Sequence, residues 1–150
     1  YCDQTKSNAL NIQAIADQMK AMHNAAKPIL RIYSIQYSKA DKKEITFQVV
    51  NVGQSARCVE IYRLDANEEY QMGLDILKSD EEYKFALALN QNDKISLTLH
   101  KHATFRIAIR YSNQLGGIYS DYYDFTLVRS NGIEKIDCVR FENDYRSPLS

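Results

Sequence analysis

The amino-acid sequence predicts a mainly β fold, a two-sheet antiparallel sandwich preceded by one N-terminal amphipathic helix. Apolar residues recur at three- and four-residue steps only before position 27, and from position 29 onward they recur at every second residue. Turn-forming residues separate many short strands, and no helices are predicted between them. A length of 150 residues suits one domain. We therefore assign residues 1–27 to a helical spacer and residues 28–150 to the sandwich.

The predicted helix covers residues 8–26. Its apolar stripe consists of Leu10, Ile12, Ile15, Ala16, Met19, Met22 and Ala26. Pro28 disfavours the helical conformation at Lys27 and ends the helix there. The stripe has a repeat of about 3.5 residues, which also suits a short coiled coil. Two interpretations therefore stay open, in which the stripe packs on the sandwich or the helix is a spacer or oligomerising stalk.

Nine segments carry strand patterns: 29–37, 44–51, 57–64, 70–77, 83–89, 94–100, 104–112, 118–129 and 133–141. The clearest alternation is in 94–100, where Ile95, Leu97 and Leu99 alternate with polar residues. Residues 80–89 fit two structures, since Ser79 and Glu82 have the spacing of a helix capping box. The sequence therefore predicts strands in 94–100 and leaves 80–89 open.

Residues 104–129 predict a hairpin with a defined register. If Tyr111 faces Tyr119, then Phe105 faces Phe125 and nearly all apolar residues lie on one side of the sheet. Ile109 then faces Asp121, Ile107 faces Tyr123, and Arg106 faces Asp124 on the outer side. Gly116 and Gly117 supply left-handed conformations for the turn.

The charge balance argues against nucleic-acid binding. Lys plus Arg and Asp plus Glu number 19 each, so no global field attracts a polyanion. The sequence has no run of about 20 apolar residues and no signal-peptide pattern. Because it starts with Tyr1-Cys2 rather than Met, we expect a fragment or processed product, to which a membrane anchor can have been attached.

Three cysteines, Cys2, Cys58 and Cys138, do not form a disulfide framework. Their odd number and wide spacing favour a reducing compartment, in which Cys58 and Cys138 are small strand residues. A bridge between Cys58 and Cys138 requires that their strands are neighbours.

The sequence carries no catalytic or cofactor motif, and we expect neither an enzyme nor a bound cofactor. It lacks a nucleophile elbow and a phosphate-binding glycine loop. The imidazoles of His100 and His102, two residues apart at the end of the predicted strand 94–100, would point the same way and could start a metal site. A third ligand is not indicated, so a solvated sheet edge beside Lys101 is the favoured interpretation.

The segment Asn51-Val52-Gly53-Gln54-Ser55-Ala56 resembles the Asn-x-Gly-x-x-Ala signature of bacterial immunoglobulin-like sandwich domains of the CARDB type. Residues 109–112 and 117–119 look like the penultimate hairpin of such domains, and 25–30 looks like the junction after a transmembrane segment and helical spacer in some bacterial membrane proteins. The resemblance covers about residues 28–130 and implies an immunoglobulin-like fold with a binding or spacer role. Two features depart from it, Gln54-Ser55 in the turn and an additional strand at 133–141.

Three outward-facing residues are the candidates for binding: Tyr122, Arg106 and Arg110. Tyr122 lies opposite Ala108, and an exposed tyrosine can anchor a contact surface. We therefore expect a non-enzymatic interaction module, in which the partner is a protein or a second copy held through the N-terminal helix. The alternative is a small-molecule sensing domain that is coupled to this helix.

Overall fold

The computed structural model describes residues 12–15, 17, 18, 21, 25–38, 43–65, 67–131 and 133–146. The described chain contains eight strands and one complete helix. In chain order they are β1 (Leu30–Ser38), β2 (Glu44–Asn51), β3 (Ala56–Leu64), β4 (Glu68–Leu77), β5 (Glu82–Ala88), α1 (Gln91–His100), β6 (His102–Ser112), β7 (Ile118–Ser130) and β8 (Ile133–Arg146).

The strands form two antiparallel sheets that pack face to face, so the predicted sandwich is confirmed. The smaller sheet has the order β1-β2-β5, and the larger has the order β4-β3-β6-β7-β8. The larger sheet is therefore two strands wider than the smaller one. The segment 133–141 is part of β8 and lies at one edge of the larger sheet.

The core lies between the two sheets, where alternate residues of each strand point inward. In β2, buried and half-buried residues alternate along the whole strand. Phe47 of the smaller sheet has its ring centroid 5.8 Å from that of Phe85 and 5.6 Å from that of Phe125 in the larger sheet. These rings are fully buried and connect the two layers.

The predicted register of the β6–β7 hairpin is confirmed at every position. Tyr111 pairs with Tyr119, Ile109 with Asp121, Ile107 with Tyr123 and Phe105 with Phe125. In the turn, Gly116 has a φ of 88°, the left-handed conformation that glycine tolerates. The hydrophobic pattern was sufficient here because a slip by one residue would expose all of the inward side chains.

The prediction of a strand at 94–100 is wrong, since these residues belong to α1. Asn90 is the N-cap: its side chain accepts a hydrogen bond from the Asp93 backbone N–H at 2.8 Å, and Asp93 accepts one from the Asn90 N–H at 3.1 Å. Of the three alternating apolar residues, only Leu97 is buried, whereas Ile95 and Leu99 are exposed. The alternation of apolar and polar residues in 94–100 therefore does not separate a buried from an exposed side, as it would in a strand.

A buried ion pair fixes the start of α1 against the larger sheet. Arg63 on β3 donates two hydrogen bonds of 2.7 Å to the Asp93 carboxylate, and its guanidinium lies 4.5 Å from the centre of the Phe105 ring. This contact, which connects residues 30 positions apart, is a tertiary reason why the capping box forms at Asn90. At Ser79–Glu82 no helix begins, and β5 starts at Glu82, so the open segment 80–89 contains a strand over Glu82–Ala88 and no helix.

The turn between β2 and β3, which begins at Asn51, connects the sandwich to the segment before β1. The buried Asn51 side chain accepts hydrogen bonds from the backbone N–H groups of Ile29 and Gly53, at 3.2 and 3.0 Å, and donates to Leu77 O at 2.9 Å. A Cβ atom at Gly53 would lie 2.5 Å from the carbonyl oxygen of Lys27, so the close approach requires glycine. The Asn-x-Gly motif therefore fixes the entry of the chain into β1.

The described positions before this junction, 12–15, 17, 18, 21 and 25, are helical. The other positions of the helix predicted at 8–26 lie outside the described residues. Ile12 and Ile15 of the apolar stripe are 69% and 57% exposed. These two side chains are therefore not packed on the described part of the sandwich.

Cys58 and Cys138 are both free. Cys58 lies on β3 and Cys138 on β8, and β6 and β7 separate these strands. Three strand spacings amount to about 14 Å, which is too far for a disulfide. The strand order thus excludes the Cys58–Cys138 bridge.

Candidate functional site

The outer side of the larger sheet carries a cluster of tyrosines around one arginine. Arg110 on β6 and Tyr122 on β7 line the same cleft, so two of the three predicted binding residues are brought together. On the other side of Arg110, the ring of Tyr62 on β3 has its centre 4.8 Å from the guanidinium. Tyr70 on β4 packs edge-on against Tyr62, with ring centroids 5.7 Å apart. We call these four residues the outer cluster.

The outer cluster is held in place before any partner arrives. Arg110 forms an ion pair with Glu68, and Tyr62 donates a hydrogen bond to Glu60. The hydrogen bond to Glu68 is the main reason why the pKa of Arg110 is raised above its ordinary value. An arginine with fixed partners loses less side-chain entropy when it forms an interface.

A shallow cleft of about 290 Å³ adjoins the outer cluster. It is lined by Arg110, Ile118, Ser120, Tyr122, Asp144 and Arg146. The cleft thus combines aromatic and aliphatic contact area with charged groups of both signs. Its charged residues are two arginines and one aspartate, and Arg110 is already paired with Glu68, which fits a polar protein surface better than a polyanion.

Arg106, the third predicted binding residue, is separated from the outer cluster by Ala108 on the same strand. It pairs with Asp124, as the register predicted, through hydrogen bonds of 2.8 and 3.3 Å. Both residues of this pair are substantially exposed. Arg106 therefore extends the same outer surface without joining the cluster.

His100 and His102 flank the end of α1. His100 is the last helical residue, Lys101 is the left-handed C-cap, and His102 begins β6. Their ring centroids are 6.2 Å apart, and His102 Nδ1 lies 3.0 Å from the carbonyl oxygen of His100. No group of three or more potential metal ligands is present among the residues that the structure describes. The strand geometry that made this pair a candidate is wrong, because the chain turns between the two imidazoles.

A second concave site lies at the opposite side of the larger sheet, where β8 extends beyond the smaller sheet. The inward side of β8 and the edge strand β1 enclose a groove of about 310 Å³, which we call the β1–β8 groove. It is lined by Leu30, Arg31, Ile32, Ile35, Tyr123, Cys138 and Arg140. A smaller space of about 120 Å³ shares Leu30 and Arg140 with the groove and reaches Lys27, Pro28 and Asn143.

Asp121 lies at the polar end of this groove and is almost completely buried. Its carboxylate accepts hydrogen bonds from the Tyr111 hydroxyl at 2.8 Å, from Asn143 at 2.6 Å and from Arg140 at 3.2 Å. Burial raises the pKa of Asp121 above its ordinary value, and the hydrogen bond from Tyr111 and the nearby charges of Arg140 and Lys27 oppose this rise. The buried carboxylate thus orients cationic and polar groups around the entrance of the groove.

The thiol of Cys138 faces the apolar part of the groove. Burial, with a smaller contribution from Asp124, raises its pKa to about 11. A thiol with this pKa is mostly protonated near neutral pH and is a weak nucleophile. The geometry supports a packing role for Cys138 and makes it a convenient reporter of access to the groove.

Sequence reasoning missed the partners that come from other strands. Tyr62, Tyr70 and Glu68 enter the outer cluster only because β3 lies between β4 and β6. Asp121 did carry a signal, since it is the one charged residue in the inward series of β7 from Tyr119 to Leu127. That pattern indicates a buried carboxylate that needs partners.

Within the described residues, no helix has the length and apolar character needed to cross a membrane. Comparison of the chain with protein-family models, with curated proteins and with solved structures finds no match.

Proposed function

We propose that this protein is a non-enzymatic interaction module that binds a protein partner through the outer side of its larger sheet. The observation that carries the proposal is the outer cluster, in which the Tyr62 ring packs on Arg110 and on Tyr70, and Tyr122 lines the same cleft as Arg110. Tyr and Arg are the residues that contribute most often to the energetic centre of protein interfaces. Tyr70 is 57% exposed, so a large aromatic surface is accessible without a conformational change.

The strand order supports an immunoglobulin-like assignment for this module. The first, second and fifth strands form one sheet, as strands A, B and E do in immunoglobulin domains, and the third, sixth and seventh correspond to C, F and G. The fourth strand pairs with the third, and β8 is an addition beyond the seventh. Immunoglobulin-like sandwiches commonly serve as interaction domains.

The second part of the proposal is that the N-terminal helix is a spacer or self-association element, which presents the module from a bacterial membrane anchor. Exposed Ile12 and Ile15 favour this over packing on the sandwich. The mass in solution with and without residues 1–27 tests it. A larger assembly that becomes monomeric on truncation is expected, whereas a monomer in both cases contradicts self-association.

Photo-crosslinking in cells tests the outer side as the contact surface. A photoreactive phenylalanine replaces Tyr122 in one variant and Tyr33 in a matched control, because Tyr33 lies on the outer side of the smaller sheet, opposite Gln48. We expect a discrete adduct from position 122 and none from position 33. The purified adduct partner should then bind the unmodified protein, and Arg110→Ala should weaken that binding about tenfold or more.

Two results would contradict the proposal. One is the same set of adducts from both positions, which would indicate non-specific proximity. The other is a partner whose affinity is unchanged by Arg110→Ala, because the outer cluster would then not contribute to recognition.

A further inference from the structure

The β1–β8 groove exists because the two sheets differ in width. β8 is the outermost strand of the larger sheet, and its inward residues Ile136 and Cys138 are only partly buried. The edge strand β1 contacts β8 along one side but does not cover it. An inward sheet face that the opposing sheet leaves partly uncovered is apolar and concave, which suits a small ligand.

The two ends of the groove differ in chemistry. Leu30, Ile32, Ile35 and the ring of Tyr123 form an apolar wall. The other end contains the charged side chains of Lys27, Arg140 and Asp121, which leave one net positive charge, and Arg31 adds a further positive charge to the lining of the groove. A ligand with an apolar body and a single negative charge complements both ends.

Arg140 retains donors for such a ligand. One of its terminal nitrogens donates to Asp121, while 47% of the side chain is exposed, against 1% for Asp121. A guanidinium has five N–H groups, so the bond to Asp121 orients the side chain without using all of its donors. Asn143 is held by the same carboxylate at 2.6 Å, which makes the polar end a preorganised site.

We propose that the β1–β8 groove binds a small monocarboxylate with an apolar body, whose carboxylate lies between Arg140 and Lys27. The site is distinct from the outer cluster, and its failure would leave the proposed interaction surface intact. The groove is also a location for the alternative function, a small-molecule sensing domain that is coupled to the N-terminal helix. Lys27 follows the helical segment, and its carbonyl oxygen accepts a 3.0 Å hydrogen bond from the backbone N–H of Gln54. A carboxylate bound at Lys27 therefore contacts the junction between the helix and the sandwich.

Protection of Cys138 from alkylation tests the proposal with the full chain. The probes are octanoate and phenylacetate, and the matched controls are 1-octanol and octylamine, which lack the negative charge. Alkylation by a maleimide is followed at each cysteine by mass spectrometry of its peptide, and the exposed Cys58 is the internal reference. At about ten times the Kd of a bound probe, we expect Cys138 to react about tenfold more slowly and Cys58 to be unchanged.

Charge-neutralising variants separate recognition of the carboxylate from simple apolar binding. Arg140→Gln and Lys27→Gln should each weaken carboxylate binding, measured by calorimetry, about tenfold or more. Arg146→Gln removes a positive charge on the outer side of the same sheet and should leave binding unchanged. A thermal unfolding curve for each variant confirms that it is folded.

Three results would overturn the proposal. The first is no protection of Cys138 by either carboxylate at about 10 mM, where even a millimolar site is mostly filled. The second is equal protection by octanol or octylamine, since the site would then not recognise a carboxylate. The third is carboxylate binding that folded Arg140→Gln and Lys27→Gln variants retain at full strength.

Discussion

Two arginine–aspartate pairs with similar geometry lie on opposite sides of the larger sheet. On the inner side, Arg63 and Asp93 form two hydrogen bonds of 2.7 Å, and their side chains are only 8% and 6% exposed. On the outer side, Arg106 and Asp124 form bonds of 2.8 and 3.3 Å, and their side chains are 50% and 34% exposed. The difference between the pairs is therefore mainly one of solvent access.

Solvent access decides what each pair does for the molecule. In the buried pair, each charge has lost its water and depends on the other, so the pair fixes α1 on the sheet. In the exposed pair, water and salt replace the partner at little cost. Residues of the outer side can therefore change for recognition while the inner side maintains the fold.

The largest effect is expected for Asp93→Ala. It leaves the Arg63 guanidinium buried beside Phe105 without its main partner and removes half of the capping box of α1. The free energy of unfolding, measured by urea titration, should fall by about 3–5 kcal/mol. Asp65 is the matched control, because it accepts a 2.6 Å hydrogen bond from the same arginine but is 42% exposed.

Asp65→Ala should cost at most about 1 kcal/mol. Equal losses in the free energy of unfolding for Asp93→Ala and Asp65→Ala would contradict the claim that burial determines the contribution of each aspartate.

Asp121→Ala should have an intermediate effect, because only one residue of the Asp121–Arg140 pair is buried. The change leaves the buried Tyr111 hydroxyl without its acceptor and releases Arg140 and Asn143. We expect a loss of about 1–3 kcal/mol in the free energy of unfolding. Asp121→Asn keeps an acceptor of similar shape and should lose less, so a greater loss for Asn than for Ala would contradict this account.

Cys138 should react about tenfold more slowly with a maleimide at pH 7.5 than a cysteine in an unstructured peptide. A pKa of about 11 in place of 9.0 lowers the thiolate fraction about a hundredfold, and the greater nucleophilicity of the more basic thiolate recovers about tenfold. Peptide-resolved mass spectrometry at several times gives the rate. A rate equal to that of the peptide would mean that the groove around Cys138 is open to water.

The smallest effect is expected for the exposed pair. In a double-mutant cycle of Arg106→Ala and Asp124→Ala, the interaction energy should be about 0.2–1 kcal/mol and should decrease as salt is added. An interaction energy above about 2 kcal/mol that does not change with salt would mean that the Arg106–Asp124 pair contributes as a buried pair does, which would contradict this account.

The sequence predicted the parts of the fold that local patterns determine. The β6–β7 register followed from the inward placement of apolar residues, and the Arg106–Asp124 pair followed from that register. Pro28 was predicted to end the helix, and the chain is no longer helical at Lys27. Each of these features involves residues that are neighbours along one strand pair or one helix end.

Features that depend on distant strands could not be predicted. The segment 94–100 has the alternation of a strand, yet the Asn90–Asp93 cap and the contact with Arg63 make it helical. No local pattern placed Arg63 beside Asp93, since they are 30 residues apart. The β1–β8 groove likewise depends on the unequal width of the two sheets, which no single segment encodes.

The central claim is that the outer cluster belongs to recognition and not to the fold, and the free energy of unfolding of the double variant Arg110→Ala/Tyr122→Ala tests it most directly. Each substitution removes partly exposed contacts that contribute about 1 kcal/mol at most. We therefore predict a urea unfolding transition with an unchanged slope and a loss of no more than about 2 kcal/mol. A loss of about 3–5 kcal/mol, as expected for Asp93→Ala, would mean that the outer cluster holds the sandwich together and would contradict the account.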